Sequence, residues 1–161
     1  MATEASWTSD EWRTKLLHCC GSRRWVELMF AQRPFASLED LLAKARTVDA
    51  QLGRADWLEA FAAHPEIGTK TQTISTWEAQ EQSGAAQAAA ATLDELSACN
   101  QAYKAKFGYI YIVCATGKSA AEMLAIVQDR LRHSPASELV VAAQEQAKIT
   151  QIRLTKLLAE T

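Results

Sequence analysis

One run in this sequence favours extended backbone, Tyr109-Ile110-Tyr111-Ile112-Val113-Cys114, and no second run of its kind exists to pair with it. Six consecutive β-branched, aromatic or apolar residues read as a buried extended segment. A sheet needs partners, and this segment has none. The rest of the chain is therefore expected to be helical, with the segment threaded between helices and its N–H groups seeking partners elsewhere. Those donors are either met by side chains and water or offered to a ligand. Composition agrees: 6 Gly and 3 Pro leave little material for turns, while Ala, Leu, Glu, Gln and Lys, which suit helices, abound.

The helices announce themselves by their caps. Thr8-Ser9-Asp10-Glu11 reads as a capping box before Trp12, Leu16, Leu17 and Cys20. Ser22 caps a short helix through Trp25, Leu28 and Met29, stopped before Pro34. Ser37 opens another, with Leu38, Leu41, Leu42, Ala45, Val48 and Leu52 at helical spacing, which Gly53 is expected to close. Asp56 is expected to cap Trp57-Leu58-Glu59-Ala60-Phe61, and Pro65 ends that helix at about residue 63. Ser75-Thr76-Trp77-Glu78 and Thr92-Leu93-Asp94-Glu95 read as two more capping boxes. The second leads through Leu96, Asn100, Tyr103 and Phe107 to Gly108 at C′. Ser119 caps a helix with Met123, Leu124, Val127 and Leu131. A turn over 132–137 precedes a last helix from about Ser137 to Leu158, with Leu139, Ala142, Ile149, Ile152 and Leu157 inward. The expectation is one all-α domain over residues 1–161, a bundle of seven to eight helices.

At 161 residues, 48% hydrophobic and 22% charged, the chain has the makings of a globular core. A net charge of −2 and a pI near 5.9 argue against a nucleic-acid partner. No apolar run reaches the ~20 residues of a membrane span, and the N-terminus lacks a secretory pattern, so the chain is expected not to be secreted. Cys19, Cys20, Cys99 and Cys114 form no C-x-x-C pair, which favours reduced thiols. Neither they nor the three histidines have ligand spacing, so no metal is expected.

Three residues stand out for chemistry. His64 follows a helix end and precedes Pro65, placing an imidazole at the mouth of a turn, suited to proton transfer near neutral pH. Arg153 lies four residues from both Ile149 and Leu157 on an apolar stripe, where a guanidinium must pair, snorkel or meet an anion. Glu81 has no capping duty, unlike Glu78, and an ionised carboxylate near a helix N-terminus could orient the imidazole. A solvated face or a structural hydrogen bond would account for each taken singly. Together they suit a small anionic substrate and proton transfer, provided that they converge on one dry hollow.

The blocks Trp57-Leu58-Glu59-Ala60-Phe61, His64-Pro65-Glu66-Ile67-Gly68 and Glu81-Gln82-Ser83 closely resemble the 2-oxo-4-hydroxy-4-carboxy-5-ureidoimidazoline (OHCU) decarboxylases. So do Phe107-Gly108-Tyr109 through Cys114-Ala115, Lys148-Ile149-Thr150-Gln151-Ile152-Arg153-Leu154, and Arg33-Pro34-Phe35 near the start. The chain most resembles the decarboxylase half of plant-type allantoin synthases. The resemblance implies an all-helical homodimer that needs no cofactor and forms (S)-allantoin in urate breakdown. It implies His64 as acid/base with Glu81 and Arg153 as companions. Pro65, Glu78, Gln82, and the backbone of Tyr111, Ile112, Val113, Cys114 and Ala115 would hold the substrate. Glu78 departs from the serine common in the family, exchanging a hydroxyl contact for a carboxylate. A cytoplasmic or peroxisomal setting is implied, with hydroxyisourate hydrolase as functional partner. The alternative from another class is a helical interaction module, which would place His64 and Arg153 on an open surface rather than around a pocket.

Overall fold

A computed structural model describes residues 6–65 and 86–159. Among these residues there are seven α-helices and no strand: α1 Ser9–Cys19, α2 Arg23–Ala31, α3 Leu38–Asp49, α4 Arg54–Ala62, α5 Ala86–Phe107, α6 Ala120–Arg130 and α7 Pro135–Ala159. They fall into two compact units, one of residues 1–64 with 143–161 and one of residues 65–142. The all-α expectation is met.

The caps explain most boundaries. Thr8 Oγ1 accepts from the Glu11 amide at 3.2 Å, Ser22 Oγ from Trp25 at 3.2 Å, and Ser37 Oγ from Asp40 at 3.0 Å. Ser119 and Glu122 form a reciprocal box, with bonds of 3.1 and 3.2 Å. Each satisfies amides that the first helical turn leaves without partners. Gly108 takes φ +88°, the left-handed C′ conformation that costs a glycine nothing, and its amide bonds back to Lys104 at 2.9 Å.

Four boundaries differ from the sequence reading. Gly53 does not close α3, which ends at Asp49; it is the N-cap of α4. Asp56 stands at N3, where its carboxylate accepts from the Gly53 amide at 3.0 Å. Thr92 lies inside α5, because the alanines before it continue the helix back to Ala86. Helix α7 begins at Pro135 rather than Ser137: proline suits the first helical position, and Ser134 Oγ accepts from the Ser137 amide at 3.2 Å. The Ser75 box lies outside the described residues.

The first unit's core gathers Trp12, Leu16, Trp25, Met29, Phe35, Leu41, Ala45, Val48, Ala60 and Leu154, all buried. Ion pairs link the start of α2 to α4, with Arg23 Nε 2.7 Å from Glu59 and Arg24 NH1 2.9 Å from Asp56. In the second unit α5 packs on α6, with Leu96, Tyr103, Met123 and Val127 buried. The run from Tyr111 to Cys114 is buried as expected. It forms no ladder.

Helix α7 departs from its apolar reading. Leu139, Ile149 and Ile152 are only partly buried, whereas Glu138, Ala142, Gln146, Thr150 and Leu154, every fourth residue, are buried. Its inward face is thus half polar. An uncharged or charged polar group so placed must find partners.

Candidate active site

Helix α4 ends at Ala62, and the amides of Ala63 and His64 bond back to the carbonyls of Ala60 and Phe61 at 3.2 and 3.1 Å. This tight last turn carries the imidazole off the helix end. Gly21 is the close neighbour that fits it: a Cβ on Gly21 would lie 2.4 Å from that of Ala63. Pro65 is exposed.

The half-buried ring of His64 has its Nε2 2.6 Å from Gln146 Oε1. The same carboxamide donates through Nε2 to Thr150 Oγ1 at 3.1 Å. With the carboxamide nitrogen on Thr150, the Gln146 oxygen faces the ring, an arrangement that favours the tautomer with the proton on His64 Nε2. In the neutral imidazole Nδ1 is then the acceptor. Burial lowers the His64 pKa below its ordinary value; the Gln146 bond opposes this, and the charge of Arg153 lowers it further. A neutral ring at physiological pH is a base ready to take a proton.

Arg153 is half-buried on α7, and its NH1 donates to the His18 carbonyl at 3.1 Å. It lines a shallow cleft of about 190 Å³ with Lys15, His18, Cys19, Lys156 and Leu157. Three cations around one cleft suit an anion. Cys20 offers no competing nucleophile, because burial pushes its thiol up to about 11 against the bonds from Ser22 and Thr150. All four cysteines are free thiols. Among the described residues no group of His, Cys, Asp and Glu could hold a metal ion.

His64 and Arg153 belong to the same unit, and the guanidinium charge disfavours protonation of the imidazole. Glu78, Glu81 and Gln82 lie outside the described residues. In the second unit the side chains of Tyr111, Ile112, Val113 and Cys114 are buried and Ala115 is exposed. Reasoning from hydrophobicity does not select Gln146 and Thr150, both of which are buried. Their signal was positional: both lie on the spacing-of-four line that ends at the fully buried Leu154.

Among the described residues an all-α fold carries, in one unit, a half-buried imidazole and a cleft lined by Arg153, Lys15 and Lys156, a set of groups suited to acid–base chemistry on a small anion. The family model for OHCU decarboxylase matches residues 5–155, and the chain belongs to that family. It is 41% identical over 157 residues to the uric acid degradation bifunctional protein TTL of Arabidopsis thaliana, covering 94% of this chain. This chain spans only 47% of the length of that relative. The OHCU decarboxylase of Mus musculus is 30% identical over 135 residues, covering 81% of this chain and 76% of the mouse protein. A crystal structure of OHCU decarboxylase in the presence of (S)-allantoin superposes with a TM-score of 0.78 at 38% identity, covering 90% of this chain and 97% of that one. Among the described residues no helix is long and apolar enough to cross a membrane.

Proposed function

We propose that this protein decarboxylates OHCU to (S)-allantoin in urate breakdown, as a carboxy-lyase whose family domain spans residues 1–161. The observation that carries the reading is the half-buried His64 imidazole, its Nε2 2.6 Å from Gln146 Oε1 and its pKa lowered by burial and by the charge of Arg153, in a chain of this family. The substrate supplies its own electron sink. When the bond from C4 to the carboxylate breaks, its electron pair forms a C4=C5 bond and pushes the C5=N pair onto the ring nitrogen, which takes up a proton as CO2 leaves. The C4 hydroxyl then gives up its proton to become a carbonyl while one face of C5 gains a proton. That demand needs a positioned acid/base rather than a cofactor.

His64 is the proposed acid/base and Arg153 the clamp on the substrate's anionic or carbonyl oxygen. Glu81 is the companion carboxylate of the imidazole. Pro65, Glu78 and Gln82 line the substrate, and backbone groups of residues 111–115 hold its polar ring atoms as preorganised dipoles. The natural assembly is proposed to be a homodimer in cytosol or peroxisome, drawing its substrate from a hydroxyisourate hydrolase. The free thiols suit such a reducing setting.

The test is freshly generated OHCU mixed with protein and followed by circular dichroism, which reads the enantiomer of allantoin formed. His64→Ala should slow formation by at least ~10²-fold, the lower range for general acid–base catalysis, while the protein stays folded. Undiminished stereospecific production by that variant defeats the assignment.

A further inference from the structure

The second unit holds a buried charged cluster for which the proposed chemistry has no use. Arg130 and Glu138 are 3% and 0% exposed. Arg130 Nε and NH2 donate to Glu138 Oε2 at 2.8 and 2.5 Å, and the Tyr103 hydroxyl donates to the same oxygen. His133 Nδ1 lies 3.0 Å from the other carboxylate oxygen. Such a pair is weak evidence of stabilisation, since buried ion pairs exchanged for apolar residues often leave a protein no less stable. What the cluster grips is more telling. Arg130 NH1 donates to the Ile112 carbonyl at 2.6 Å, and the guanidinium sits 5.0 Å from the Tyr111 ring centre.

A second cation repeats this two residues on. Lys118 Nζ donates to the Cys114 carbonyl at 2.7 Å, and the Lys118 amide donates to the Ala115 carbonyl at 3.0 Å. The Tyr111 hydroxyl is tied to the Met123 carbonyl at 3.0 Å. Carbonyls 112, 114 and 115 are thus spoken for within the protein. The amides of Ile112 and Val113 donate to no other described residue, although both residues are buried. With two cations on carbonyls and two amides that no described residue takes up, the segment is richer in free donors than in free acceptors.

We propose that Arg130 and Lys118 are positioning residues for substrate: they take up the carbonyls of Ile112 and Cys114, so that the segment offers N–H groups to the carbonyl or carboxylate oxygens of OHCU. Glu138, Tyr103 and His133 fix the guanidinium at the angle this requires. The inference rests on the decarboxylase reading above and adds residues to it. Arginine suits the first position because its planar fork reaches Glu138 and Ile112 at once, which an ammonium cannot do.

The test compares Arg130→Lys, Lys118→Met and Lys118→Arg with the parent protein for KM and kcat on OHCU, and for amide shifts of Ile112 and Val113 on titration with (S)-allantoin. Losing one charge-assisted bond should raise KM by about tenfold or more in the first two variants and leave kcat changed much less. Lys118→Arg should restore KM, and the two amides should shift in the parent protein. Lys118 is partly exposed, so its variants report even if Arg130→Lys does not fold. A cluster that merely stabilises would lower Tm and the active fraction while leaving KM unmoved, and that outcome overturns the positioning role with decarboxylation intact. A parent protein that does not turn over OHCU overturns the decarboxylase reading itself, and the positioning role falls with it.

Discussion

Gln146 carries the sharpest prediction, because it touches His64 and Thr150 with one carboxamide. Gln146→Leu strips a partner from the imidazole N–H and from a hydroxyl whose residue is 1% exposed. Leaving a buried polar group unpaired costs ~1 to 3 kcal/mol. Thr150 can turn its hydroxyl to the carbonyl one helical turn back, and His64 keeps some access to water, so both fall low in that range. The sum is roughly 2 to 4 kcal/mol, or a Tm lower by about 5 to 15 °C for a chain of this size. The protonation effect is more diagnostic. The Gln146 bond raises the His64 pKa against burial, so Gln146→Leu should lower it further. Gln146→Glu puts a carboxylate against Nε2, which favours the imidazolium and should raise it. The acid limb of kcat/KM on OHCU should therefore move down in pH for the first variant and up for the second. Nitrogen chemical shifts of the ring should follow, with Nε2 as the protonated nitrogen of the neutral form in the parent protein. Shifts of the same sign in both variants, or a neutral ring protonated at Nδ1, would refute the reasoning. Stability has a matching sign: the fold prefers the neutral ring, so the unfolded chain binds more protons as pH falls through 6.5 and stability declines there.

Other perturbations test separate parts of the argument. Arg153→Ala should raise KM for OHCU by about tenfold or more, the loss expected of one charged hydrogen bond, and it should raise the His64 pKa, because the guanidinium charge depresses it. An unchanged KM removes its clamp role. Burial pushes the Asp49 carboxyl up to about 6, so ionisation above that pH costs stability that the unfolded chain does not lose. Asp49→Asn should therefore raise Tm at pH 7 and give no gain below pH 3.8, checked by melts across that range. Gly21→Ala should destabilise by ~1 to 3 kcal/mol through its collision with Ala63, and Ala63→Gly added to it should restore most of the loss. Non-additivity in that cycle is the measured quantity.

Capping made the helical skeleton legible in the sequence. At Thr8, Ser22, Ser37 and Ser119 a hydroxyl accepts from the amide three residues on, one of those the first helical turn leaves without a partner, so the cap residue marks the helix start. The rule failed where something stronger acted. Thr92 has a capping sequence, but the alanines ahead of it make continuing the helix easier than breaking it. Asp56 was misplaced by three residues because a carboxylate serves equally as N-cap or as the N3 partner of one, and Gly53 left the cap position without a side chain.

The candidate site was legible to a different degree in each half. His64 could be found because Pro65 stops the helix locally, and that constraint reads along the chain. Its partner could not, because Gln146 is 82 residues away and the choice depends on which face of α7 turns inward. Hydrophobicity pointed to Ile149 and Ile152, and burial instead selected the line from Glu138 to Leu154. The two ends of that line do different work. Glu138 anchors the cation that grips Ile112, and Gln146 holds the ring of His64 at Nε2. A helix that used its buried face only for packing would carry leucine at both positions. Polar residues there are costly unless each is bonded, and each is. The placement is best understood as selection for where two other groups must point. The consequence is separable in experiment: changes at Gln146 should alter the pH profile, whereas changes at Arg130 or Lys118 should alter KM.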